Sequence, residues 1–169
     1  MISDTYRLWP DKPPSTHGKG CIIHVFDAIA TRRTVRSFSA RRPTRAQIES
    51  ILKNACRAPS IRNNQPWRVQ VFAEDALADL VNIAAAGESR TAKAPPLWAR
   101  GVCAARTDDG ALRRRGLRFY EGPVGLLCTI DRIATREQWL DHGCFVNNII
   151  LASSAVAMSA CVIGDLQGL

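Results

Sequence analysis

The apolar positions along the chain change period several times, and each change marks a predicted element. Val25, Phe26, Ile29 and Ala30 recur at helical spacing, which predicts a short helix over 25–31 with one face turned inward. Behind Thr44, the positions Ile48, Ile51, Leu52 and Ala55 form a second helical stripe, and Gln47 completes a capping box. Pro59 should stop that helix at Ala58, because the residue before a proline is pushed out of helical geometry. Val69 and Val71 then alternate with Arg68 and Gln70, the pattern of a strand running to Phe72. Glu74 to Ala86 reads as a helix with Leu77, Leu80, Val81 and Ala84 inward and Gly87 as its stop. Val124 to Asp131 is a near-continuous apolar run, expected of a central strand covered on both faces. Thr135 and Gln138 make another capping box. It opens a long helix whose apolar residues, Leu140 to Val156, wrap most of its circumference; such a helix is buried in a core or a subunit interface.

Two segments lack this periodicity. Residues 1–20 carry Pro10, Pro13, Pro14, Gly18 and Gly20 and predict a mobile lead-in to a single domain over 21–169. Gly18-Lys19-Gly20 lacks the spacing and the following Ser or Thr of a phosphate loop. The second segment, 88–120, holds Pro95-Pro96, Trp98, Asp108-Asp109-Gly110 and the Arg113–Arg115 run. Trp98, Phe119 and Tyr120 within it read as packing residues rather than as a substrate pocket.

Charge and cysteine usage narrow the picture. The formal net charge of +8 suits either nucleic acid or a small anionic ligand. Arginines supply most of it in short groups (Arg32, Arg33, Arg36; Arg41, Arg42, Arg45; Arg113, Arg114, Arg115) that do not line one helix face. No groove-reading motif accompanies them, so bidentate contact with a phosphate is the better reading and no nucleic-acid partner is expected. The six cysteines form no Cys-x-x-Cys pair, which argues against a metal or a disulfide framework and for reduced, mostly buried thiols. There is no secretory leader pattern and no uninterrupted apolar run long enough to span a bilayer, so a cytoplasmic protein with no membrane partner is expected.

Candidate chemistry concentrates in two polar segments. Arg32-Arg33-Thr34-Val35-Arg36 follows the first helix; two guanidinium groups and the Thr34 hydroxyl could clamp a phosphate. Ordinary surface arginines are an equal reading of that segment alone. Pro59-Ser60-Ile61-Arg62-Asn63-Asn64-Gln65-Pro66 joins the second helix to the first strand. Its amides both donate and accept, so they could read a polar heterocycle or a polyol, although a solvated, turn-rich loop fits the same residues. No Ser-His-Asp, Cys-His or paired-carboxylate set exists, and adjacent Asp141 and His142 do not face each other on a helix. No catalytic side chain is assigned.

The stretch Asp27–Phe38, taken with Ala58-Pro59-Ser60 and Asn63-Asn64-Gln65-Pro66-Trp67, resembles the nitroreductase family of flavin enzymes. Trp139–Gly143 and Met158–Gly164 resemble it again. The resemblance implies an α+β fold, a central, mostly antiparallel sheet flanked by helices, with a long buried helix forming a homodimer. It further implies FMN as cofactor and NAD(P)H as reductant. Arg32, Arg33, Thr34 and Arg36 would grip the FMN phosphate and ribityl. Pro59, Ser60, Asn63 and Gln65 would complete the flavin site near the dimer interface. Backbone groups at Ile163 and Gly164 would meet the reactive ring nitrogen, where a donor stabilises developing charge. The implied reaction is a ping-pong transfer from NAD(P)H to an electron-poor acceptor, a nitroaromatic or a quinone. Family members continue past the position of Leu169 with a helix, a strand and an arm around the partner subunit. A shortened, non-enzymatic dimer with weak or no flavin binding is therefore the alternative expectation.

Overall fold

The computed structural model describes residues 24–88 and 115–163. The lead-in, Trp98, Arg113, Arg114 and Gly164 lie outside the described residues. Strand β1 (Trp67–Ala73) pairs antiparallel with β2 (Val124–Ile130), with Trp67 opposite Ile130 and Ala73 opposite Val124. Among the described residues these two strands make up the sheet, so β2 has one neighbour there.

The alternation along β1 sends its side chains to two different cores. Trp67 and Val69, with Leu126 and Cys128 of β2, pack with Ile51, Ala55, Phe145 and Ile149 of helices α2 (Arg45–Ala55) and α4 (Arg136–Ala155). Trp67 stacks on Phe145 with ring centroids 4.7 Å apart and planes 6° from parallel. Phe145 is 1% exposed, and burying a side chain of that size contributes about 2–3 kcal/mol. On the other face Phe72 meets Leu77 and Leu80 of α3 (Glu74–Glu88) and the ring of Phe119. Gly125 makes this second core possible. A Cβ there would lie 2.8 Å from Leu77 Cδ1 and 2.9 Å from Phe119 Cε1. Phe119 and Tyr120 are buried in a one-turn helix of positive φ, so both act in packing.

Both capping boxes form as the sequence predicts, at Thr44 with Gln47 and at Thr135 with Gln138. Helix α1 spans Val25–Thr31. Two helix boundaries and two burial patterns differ from expectation. Helix α2 stops at Ala55, and the chain tightens into a turn in which Ala58 N–H reaches Ala55 O at 3.0 Å. Helix α3 runs through Gly87 to Glu88. Helix α4 buries one stripe only, Phe145, Ile149 and Ser153, while Trp139 is 53% and Leu140 70% exposed. Val25, Phe26 and Ile29 of α1 are exposed as well, so the inward face of that helix comes down to Ala28. The described thiols are free, with Cys56 exposed and Cys128, Cys144 and Cys161 half-buried. Burial pushes the Cys128 thiol up to about 11, which makes it inert at neutral pH.

Candidate functional site

The arginine segment leaves α1 with Arg32 N–H still bonded to Ala28 O at 3.0 Å. Arg33 Nη1 then folds back and donates to the carbonyls of Ala30 (3.1 Å) and Arg32 (2.9 Å), covering the C-terminal end of the helix. Thr34 pairs with Ala160 in a parallel β-bridge. Two residues further on, the Arg36 carbonyl accepts from Arg115 Nη2 at 2.9 Å, and the same guanidinium lies 5.8 Å above the Tyr120 ring. Arg36 is also electrostatically coupled to Cys161: burial raises that thiol's pKa, and the guanidinium partly opposes the rise. Arg33, Thr34 and Arg36 remain exposed, while Arg32 is half-buried. The loop therefore lies along residues 160–161, two positions before Ile163, which packs on the Leu77–Phe119 core. The bridge thus sets Thr34 beside Ala160, three residues before Ile163.

The amide segment is built differently. Between Pro59 and Pro66 the chain makes a one-turn helix at Ile61–Asn63, with positive φ at Arg62 (51°), Asn63 (56°) and Gln65 (45°). Ser60 Oγ accepts from Gln65 N–H at 3.1 Å, and Gln65 Nε2 donates to Asn63 Oδ1 at 3.1 Å. Asn63 N–H returns to Ser60 O at 2.9 Å. From outside the bend, Asp141 Oδ2 accepts from Ile61 N–H at 2.9 Å. Asp141 therefore serves the bend and not its neighbour His142. His142 Nδ1 is buried without a hydrogen-bond partner, its pKa lowered by burial, and its ring meets Trp139 edge-on at 6.2 Å.

Asp141 and Arg115, which tether the two segments, were both missed by sequence reasoning. The available signals were an acidic break in an otherwise apolar helix and one member of an arginine run. The tethers also locate the segments. Asp141 is in the second turn of α4, whereas Ala160 lies just past its last residue, Ala155. The helical rise puts about 21 Å between Asp141 and Ala155 along the axis. An open groove of about 480 Å³ lies elsewhere, lined by Arg42, Arg45, Leu52, Val71, Glu74 and Val124 among others, and none of the nominated residues borders it. Among the described residues no group of His, Cys, Asp and Glu is placed to hold a metal ion, and no helix is long and apolar enough to cross a membrane.

Among the described residues, the arginine loop and the amide bend offer donors and acceptors suited to binding a ligand. Residues 29–168 match the sequence profile of the nitroreductase family, and the chain belongs to that family. It is 32% identical over 160 residues to a 4-nitrobenzoate reductase of Pseudomonas putida, covering 80% of this chain and 70% of that protein. It is 31% identical over 164 residues to a chloronitrobenzene nitroreductase of Comamonas testosteroni, covering 80% of this chain and 71% of the relative. Among solved structures, the FMN and NADPH-dependent nitroreductase NfnB from Sphigopyxis sp. strain HMH superposes with a TM-score of 0.68 at 26% identity. That match covers 82% of this chain and 74% of the other.

Proposed function

We propose that this chain is a cytoplasmic FMN-dependent oxidoreductase that works as a homodimer and passes electrons from NAD(P)H to a nitroaromatic or quinone acceptor. When bound, FMN would supply the redox chemistry of a ping-pong exchange between NAD(P)H and the acceptor. The protein's work is placement. Arg32, Arg33 and Arg36, with the Thr34 hydroxyl, present charge-assisted donors to the phosphate. Asn63 and Gln65 present amides to the ring and ribityl, with Pro59 and Ser60 fixing their approach, and a backbone group at Ile163 would meet the reactive edge. The names of the relatives support the nitroaromatic class of acceptor.

The observation that carries this reading is the Thr34–Ala160 bridge, which sets the arginine loop against the segment leading to Ile163. The bend is tethered in the second turn of α4 and the loop at Ala160, past its end, which favours a site shared by two copies. A two-fold axis across α4 sets the helices antiparallel and puts the bend of one copy beside the arginine loop of the other. The exposed Trp139 and Leu140 on α4 and Val25, Phe26 and Ile29 on α1 supply apolar surface for such an interface. The test is a titration of purified protein with FMN and with riboflavin. FMN should bind and turn the protein yellow, far more tightly than riboflavin, which has no phosphate. Protein that stays colourless, or that prefers neither flavin, contradicts the reading.

A further inference from the structure

We infer that Asp141 is a positioning residue for the flavin, acting through the amide bend; the inference rests on the FMN reading above. The bend has a conformation that its residues do not hold unaided, because Arg62, Asn63 and Gln65 all have positive φ. Its internal hydrogen bonds, Gln65 N–H to Ser60 and Gln65 to Asn63, fix its shape but not its place in the molecule. Helix α4 fixes its place at both ends. At the front, the Asp141 carboxylate accepts from Ile61 N–H, the first amide of a helical turn and one without an intrahelical acceptor. At the back, Phe145 stacks on Trp67, the residue that leaves the bend. Asp141 and Phe145 are four residues apart and share one face of α4. A single helix face thus brackets the segment that carries Asn63 and Gln65.

This arrangement gives Asp141 a function that its neighbours do not have. Phe145 holds the core and the bend together, so replacing it disturbs both. Asp141 bonds to the bend alone among the described hydrogen bonds, so its loss frees Ile61 and lets the two amides wander while the arginine loop is untouched. FMN should then keep its phosphate contacts and lose its fixed ring orientation.

The experiment titrates FMN into wild-type protein and the variants Asp141→Ala, Asp141→Asn and Ile61→Pro, reading affinity and the visible circular dichroism of the bound flavin. Alanine favours helix, so the first variant does not weaken α4 itself. Ile61→Pro deletes the donor instead of the acceptor; Ser60, at φ −148° and ψ 147°, already has the geometry a residue before proline needs. Asp141→Ala and Ile61→Pro should each weaken FMN about tenfold and alter the dichroism alike. Their double variant should be no worse than either, and Asp141→Asn, which keeps an acceptor, should recover most of the loss. A purely structural role would lower the unfolding temperature and leave the spectrum of the remaining bound flavin unchanged. Wild-type affinity and dichroism in Asp141→Ala, or additive losses in the double variant, overturn the inference. Hydrogen exchange at 61–65 separates this failure from failure of the FMN reading. Faster exchange in Asp141→Ala, in a protein that takes up no flavin, keeps the anchor and removes the flavin; unchanged exchange removes the anchor.

Discussion

The arginine loop and the amide bend would serve the same ligand, yet they are held in place by opposite means. The loop is extended, its Arg33, Thr34 and Arg36 are exposed, and it is fixed from outside by one backbone bridge to Ala160 and one guanidinium from Arg115. The bend is curled, strained at three residues and ordered largely by its own hydrogen bonds, with Asp141 as its external tether. The difference follows from what each must recognise. A phosphate is a compact charge that guanidinium groups can approach from several directions. A flat heterocycle is read by directional donors and acceptors, and amides do that only if they are set beforehand.

Substitutions can test that contrast. The largest effect is expected from Phe145→Ala, which empties the stack under Trp67. It should cost about 3–5 kcal/mol of unfolding free energy by urea titration, and order in the bend should go with it because Trp67 leads out of the bend. Next comes Arg33→Ala. Removing one of the charged donors should weaken FMN by about two orders of magnitude and riboflavin far less, since riboflavin lacks the phosphate. Asn63→Ala should weaken FMN and riboflavin together by about tenfold, because the amide reads the part they share. Equal effects of Arg33→Ala on both flavins would erase the division of labour.

The smallest effect lies beside the bend's tether and turns on pH. His142 is held below its ordinary pKa of 6.5 by burial, and Nδ1 has no partner. As pH falls through 6.5, the unfolded chain takes up the proton before the folded one does. The contribution of neutral His142 is therefore complete above that pH and fades as pH drops toward the folded value. The urea midpoint should decline as pH falls below about 6.5, and His142→Gln should flatten that decline slightly. A slope unchanged in the variant would assign the pH dependence to other groups.

Much of this organisation could be read from the chain itself, and what could not has a physical cause. Both capping boxes are local, a hydroxyl and an amide three residues apart, and both form. Val69 and Val71 pointed to β1 because alternation in a half-buried strand is also local, but its start at Trp67, directly after Pro66, depends on the stack with Phe145 across the molecule. The early end of α2 reflects a turn closed by Ala55, Asn54 and Leu52 carbonyls, a local competition that Pro59 does not report. The apolar circumference of α4 left a core and a subunit interface both open, and in a single copy Trp139 and Leu140 are exposed. In the candidate site, residue types at the loop and the bend were visible and their tethers were not. The hydrogen bonds of Asp141 and Arg115 each join positions about eighty residues apart, and no periodicity encodes them.

The central claim is that one copy's arginine loop and the other copy's bend hold a single flavin, and subunit mixing tests it most directly. Arg33→Ala protein keeps an intact bend, and Asn63→Ala protein keeps an intact loop. When equal amounts are allowed to exchange subunits, half the dimers are mixed, and each of these holds one site with both parts intact. About a quarter of all sites should therefore regain wild-type FMN affinity. If the mixed preparation binds FMN no better than its two parents after exchange is complete, the loop and the bend do not meet across two copies and the account is wrong.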